Sequence, residues 1–327
     1  MKYVGIQTQK RRNNFRSVLL LILFPCLVVG VTYLFCLLGT YFIFSREMPD
    51  ADADIPALAN VMFIQIAPYV VGGVGLWFLI AYLYNTRIIC NATGSRPLER
   101  KENKRVYNLV ENLCMSLGMK TPKINIINDD SLNAFASGIN NSTYTVTLSE
   151  GIIRKLNDDE LEGVIAHELS HIRNRDVRLL IVSIVFVGIF AMLTQLCFRM
   201  LIYSPRRISR RQDKNSGGSI LLILLLAIAV AAIGYFFSTL MRFAISRKRE
   251  YLADAGAAEM TKKPYALASA LRKISADPDI EAVKREDIAQ LFIEHPGRQA
   301  KSKLSGLSGL FATHPPIRKR IEVLEQF

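Results

Sequence analysis

Four long apolar stretches, at residues 17–44, 57–84, 179–203 and 219–243, constrain this 327-residue chain more than any other feature. Each is long enough to cross a hydrocarbon core of about 30 Å as a helix. The first is too long for a signal-peptide core and has no small-residue cleavage site, so it reads as an uncleaved anchor. The second ends in Trp77, Phe78, Tyr82 and Tyr84, aromatics suited to a membrane interface. Pro25 and Pro68 are tolerable inside lipid-embedded helices.

The distribution of charge gives an orientation. Net charge is +13, and Lys10, Arg11, Arg12 and Arg16 crowd against the first apolar stretch. The loop after it carries Glu47, Asp50, Asp52 and Asp54 against Arg46. The positive-inside rule then puts the N-terminal tail in the cytosol, the acidic loop outside, and the segment after residue 84 back in the cytosol. The loop between the third and fourth stretches holds Arg206, Arg207, Arg210, Arg211 and Lys214. It would lie outside if both stretches span, and need not if they form a re-entrant or interfacial hairpin. In either case the chain returns to the side it left, so the segments before and after the hairpin can share one domain. The expected organisation is a basic cytosolic tail (1–16), two membrane helices (17–84), the first part of a polar domain (85–178), an inserted membrane hairpin (179–243) and the second part of that domain (244–327).

Basic residues beside apolar stretches explain the positive charge better than nucleic acid does, and no stacking, zinc-finger or phosphate-cradling motif occurs. Five cysteines, an odd number without a CxxC pair, suggest neither a disulfide framework nor a thiolate metal site and fit a reducing compartment.

The polar segments read as a compact α+β unit. Val106, Leu109, Val110 and Leu113 follow a helical period, with Gly118 at the expected end. "PKINII", "NAFASG" and "TYTVTLS" read as strands, the last two separated by the turn-like "INNS". Asn157 and Glu160 form a capping-box pattern ahead of the helix "ELEGVIAHELSHIRNRD". After the fourth stretch come helices at "RKREYLADAGAAEMT", at "PYALASALRKIS" and at the terminal "IRKRIEVLEQF".

The sharpest chemical signal is His167-Glu168-Leu169-Ser170-His171, in a chain with only four histidines. Residues four apart on a helix are offset by about 40° and one turn, so both imidazoles point the same way. Two neutral imidazoles and a carboxylate oxygen suit a three-ligand catalytic zinc site. Glu168, about 100° round the helix from His167, lies where it can take a proton from water and pass it to a leaving amine. Glu250 is the candidate third ligand, with Asp254 one turn later as an acceptor for an imidazole N–H. The alternative is that Glu250, beside Arg247, Lys248 and Arg249, belongs to a solvated charge run.

"NLVENLC", "LNAFASG", "LEGVIAHELSHIRNRD", "SRKREYLAD" and "LFATHPPIRKRI", in that order from about residue 95 onward, resemble the HtpX-type membrane metalloproteases, of the group that includes the type I CAAX prenyl proteases. The resemblance implies a zincin-type α+β protease domain, mainly helical with a small sheet, combined with four membrane helices. It implies one Zn2+ per chain held by His167, His171 and Glu250, with Glu168 as catalytic acid/base. "NAFASG" would be an edge strand, with Asn133, Ala134, Phe135 and Ala136 lying against an extended peptide, or an ordinary core strand. His314 would donate to the oxyanion of the tetrahedral intermediate, or brace the last helix, and Arg320 would tie that helix to the domain. His295 reads as a surface residue. The resemblance further implies an endopeptidase of a bacterial-type inner (plasma) membrane, multi-pass, its site facing the cytosol, cleaving misfolded or damaged membrane proteins. Polypeptides and the lipid bilayer are the expected partners, and nucleic acid is not.

Overall fold

The computed structural model describes residues 6–47, 54–179, 247–275 and 315–327, with isolated positions between 181 and 236. Two units emerge: one gathers residues 1–17, 82–184 and 242–327, the other residues 18–81 and 185–241.

In the second unit, α1 (Ile6–Glu47) and α2 (Ile55–Thr93) are the long helices. Both continue into the first unit at one end, and α1 is helical already from Ile6, through the basic residues. Lys and Arg are good helix formers, and nothing between them and the apolar stretch breaks the helix. Ile22–Phe42 and Ile55–Ile80 are each long and apolar enough to cross a membrane. The two helices touch through the edge-to-face pair Tyr33–Phe63, at 5.4 Å, and through Thr40 donating to the Met62 sulfur. Elsewhere α2 turns Val61, Ile64, Leu76, Leu79 and Leu83 outward. An exposed apolar band of that length is costly in water and removed from it by a bilayer. The third and fourth apolar stretches and the basic loop between them lie outside the described residues, apart from isolated helical positions.

The first unit carries a small mixed sheet: β1 (Arg96–Pro97), β2 (Lys123–Ile127), β3 (Ala134–Ser137) and β4 (Thr145–Ser149), in spatial order β1-β2-β4-β3. β2 and β4 run parallel, with Ile126 opposite Leu148; β3 pairs antiparallel on the far side of β4, with Ala134 opposite Leu148. β3 is therefore an edge strand among the described residues. Its four residues are nonetheless buried, because α5 packs against it.

Helix α3 (Lys104–Ser116) starts at Asn103, whose side chain accepts from the Val106 N–H, and buries Val106, Val110, Leu113 and Cys114. Gly118 takes a positive φ of 59° just past its end, as a helix C-terminal glycine does. Short helix α4 (Glu150–Lys155) follows β4 without a break, since Ser149 both ends the strand and caps the helix. Helix α5 (Asp158–Arg173) opens on a complete capping box between Asn157 and Glu160. Glu160 also accepts from Ser269 and Lys273, each at 2.7 Å, pinning α5 to α7 (Pro264–Ile274). Helix α6 (Arg247–Thr261) crosses α5, and α8 (Ile317–Leu324) packs on α6 and α7.

Candidate metal centre

Two crossings bring the site together, and a glycine sits at each. At Gly163 on α5, a Cβ would lie 3.2 Å from the Leu267 backbone of α7. At Gly256 on α6, it would lie 2.5 Å from the Ser170 hydroxyl. Helices approaching this closely fix which side chains face one another. Here they set the His167–His171 face of α5 against Glu250 of α6.

The result is a cluster with ligand atoms of His167, His171 and Glu250 all within 4.8 Å of one another. The two imidazole Nε2 atoms are 3.2 Å apart. Glu250 Oε2 lies 3.6 Å from His167 Nε2, and Oε1 lies 3.5 Å from His171 Nε2. An ion held at about 2.1 Å by tetrahedral donors would have edges of about 3.4 Å. The three observed edges scatter around that length, so the residues fit a small divalent cation. Glu250 is only 6% exposed, which removes the reading of this segment as a solvated charge run.

Each imidazole presents its other nitrogen to a carboxylate. His167 Nδ1 is 2.9 Å from Asp254 Oδ1, and His171 Nδ1 is 3.2 Å from Asp176 Oδ2. These partners hold the proton on Nδ1 and turn the Nε2 lone pair toward the cluster. Asp254 is the acceptor expected from sequence; Asp176 was not anticipated. Its signal is an acid five residues after His171, but reaching back requires the turn at Arg175, which has a φ of 60°. The guanidinium of Arg249 donates to the Asp176 carbonyl at 3.3 Å.

Behind Asp254 lies Arg320 of α8, the largest fully buried side chain among the described residues. Its Nε and Nη2 donate to Asp254 Oδ2 and Oδ1 at 2.8 and 2.7 Å, a bidentate pair. Burial pushes the Asp254 carboxyl up, but Arg320 and His167 outweigh it and hold it below the usual carboxylate range. For the His167 imidazole, burial acts downward while Asp254 and Glu250 act upward, and without metal it is pushed up to about 9.

Glu168 is 2% exposed, and burial pushes its carboxyl up while the two imidazoles pull it back. The Ala136 backbone of β3 also acts on this carboxyl, lowering its pKa. The register explains how. Ser149 donates to the Asn133 carbonyl at 3.0 Å, which makes that a hydrogen-bonded pair. In the alternation of an antiparallel ladder, Phe135 and Ser137 then bond to β4, while Ala134 and Ala136 turn their backbone groups away from β4, both residues being buried. The Ala134 N–H on that side is taken by Asn133 Oδ1 at 3.0 Å. Asn133, Ala134, Phe135 and Ala136 thus adjoin the metal cluster through Glu168. His314 and His295 lie outside the described residues.

Residues 100–327 match the profile of Peptidase family M48, a span that includes every residue of this cluster. A "Protease HtpX homolog" of Bacteroides fragilis is 72% identical over the whole of both chains. Proteins of the same name from Dictyoglomus turgidum and Thermococcus sibiricus are 43% and 39% identical over 75% of this chain, and over 76% and 81% of their own lengths. The inward-facing imidazoles and carboxylate are thus what a metal-dependent peptidase needs, and the chain belongs to peptidase family M48, as a membrane-associated metallopeptidase of the HtpX kind.

Proposed function

We propose that this metallopeptidase is a zinc endopeptidase of a bacterial inner membrane, spanning it four times, that cuts misfolded or damaged membrane proteins on the cytosolic side. The observation that carries the reading is the convergence of His167, His171 and Glu250, with Glu168 buried on the same helix as the two histidines. The cytosolic side follows from the basic N-terminal tail and the acidic loop after the first apolar stretch.

Zinc bound by the three ligands would supply a Lewis acid for the scissile carbonyl and lower the pKa of a coordinated water. Glu168 takes the proton of the attacking water and delivers it to the leaving amine nitrogen. Its raised pKa brings it nearer to neutrality, where one group can both accept and donate. The carbonyls of Ala134 and Ala136, on the side of β3 away from β4, suit an extended peptide laid alongside as an added strand. Recognition through backbone groups tolerates many side chains, which fits a protease that meets unfolded segments of varied sequence.

The test is paired. Wild type and Glu168→Gln, purified in detergent, are assayed for metal content and for cleavage of casein and of a membrane protein with an unfolded cytosolic loop. Equal metal in both, with cleavage only by the wild type, is expected. Cleavage at the wild-type rate by Glu168→Gln would remove the mechanism. Cleavage confined to the soluble substrate would remove the membrane-protein reading.

A further inference from the structure

Arg320 stands 66 residues from Asp254 and 70 from Glu250 in sequence, on a separate helix, yet its guanidinium lies between their two carboxylates. Nε and Nη2 grip both oxygens of Asp254. Nη1 faces Glu250 Oε2 at 3.6 Å and makes no hydrogen bond among the described residues. Arg320 is 0% exposed and Asp254 1%, so neither is solvated by bulk water.

A carboxylate held at one oxygen can rotate; one held at both cannot. Asp254 Oδ1 receives both Arg320 Nη2 and His167 Nδ1, so the arginine fixes the oxygen that fixes the imidazole. We infer that Arg320 is a positioning residue of the metal centre: acting through Asp254, it holds His167 with its proton on Nδ1 and its Nε2 lone pair toward the metal, so that docking of α8 completes the site. This goes beyond tying the last helix to the domain and rests on the ligand assignment proposed above. Lysine, a point charge, cannot reproduce a two-armed grip.

The test uses Co2+ alone as probe, added to the full-length metal-free chain in detergent, and reads its visible absorption bands and its affinity. Arg320→Lys is expected to keep the metal-free melting temperature near wild type, shift the bands, and bind Co2+ about 10–100-fold more weakly, the usual loss for a partner of a ligand imidazole. Because Arg320→Met alone would strand a buried carboxylate, its effect is read in an Asp254→Ala background, where the double variant leaves neither charge and no oxygen for Arg320 to hold. There the double variant should bind Co2+ no more weakly than Asp254→Ala alone does. Wild-type bands and affinity in Arg320→Lys would overturn the inference and leave the ligand assignment standing. A further loss of about tenfold on adding Arg320→Met to Asp254→Ala would show that Arg320 does not act through Asp254. Failure of the wild type to take up one Co2+ would overturn the ligand assignment and this inference with it.

Discussion

The crossing of α5 and α6 should be sensitive to a single methyl group. A Cβ on Gly256 would meet the Ser170 hydroxyl at 2.5 Å and the Ser170 Cβ at 3.2 Å. Ser170 is 1% exposed, so its hydroxyl has little room to turn away. Overpacking of this kind costs about 1–3 kcal/mol. Alanine in place of glycine inside a helix returns about 1 kcal/mol. Gly256→Ala should therefore lie between neutral and about 2 kcal/mol destabilising. In a Ser170→Ala background the closest contact is gone, and Gly256→Ala should be stabilising by about 1 kcal/mol. The coupling, at least about 1 kcal/mol, can be read from melting temperatures of the metal-free chain, where about 1 kcal/mol moves a domain of this size by about 2–4 °C. Because Glu250 lies on the helix that the added methyl would push away, metal affinity should fall in Gly256→Ala and recover in the double variant. Additivity to within about 0.5 kcal/mol would refute the tight crossing.

Three further outcomes follow from the residues around the imidazoles. Asp176→Ala should weaken metal binding about 10–100-fold, measured against a chelator, because His171 loses the acceptor that orients it; unchanged affinity would mean that Asp176 only braces the turn. In the metal-free chain His167 is pushed up to about 9, so metal must displace its proton at neutral pH. Calorimetry in two buffers of different ionisation enthalpy should therefore show proton release on metal uptake. The same shift sets a stability trend. The folded pKa is raised above the unfolded one, so the contribution of His167 is complete below about 6.5 and lost as pH rises through about 9. The metal-free chain should accordingly melt at lower temperature at about pH 9 than at about pH 6.5.

What the sequence made legible was whatever depends on short-range spacing. The two histidines four apart, the capping box of Asn157 and Glu160, and the helix at 247–261 are local patterns, and the structure reproduces them. The strands "NAFASG" and "TYTVTLS" appear as β3 and β4 with the expected turn between them. Helix α4 escaped notice because Ser149 serves strand and helix at once, leaving no break in the pattern. Strand β1, two residues long and exposed, has no periodicity to read. Asp176 was hidden because its role depends on a left-handed turn rather than on helical spacing. Glu250 was ambiguous by composition, since its neighbours are basic; the fold buries Arg249 and Glu250 inside the domain. Arg320 was legible as a tie between helix and domain, but the bond it makes is a tertiary fact: its partner, Asp254, lies on another helix beside His167.

The central claim, that a metal is held by two imidazoles and a carboxylate, is tested most directly by X-ray absorption on the zinc-loaded chain. The account predicts two imidazole nitrogens at about 2.0–2.1 Å, the remaining neighbours being oxygen, and one imidazole fewer in His171→Ala. Sulfur at about 2.3 Å, or an unchanged spectrum in His171→Ala, would contradict it.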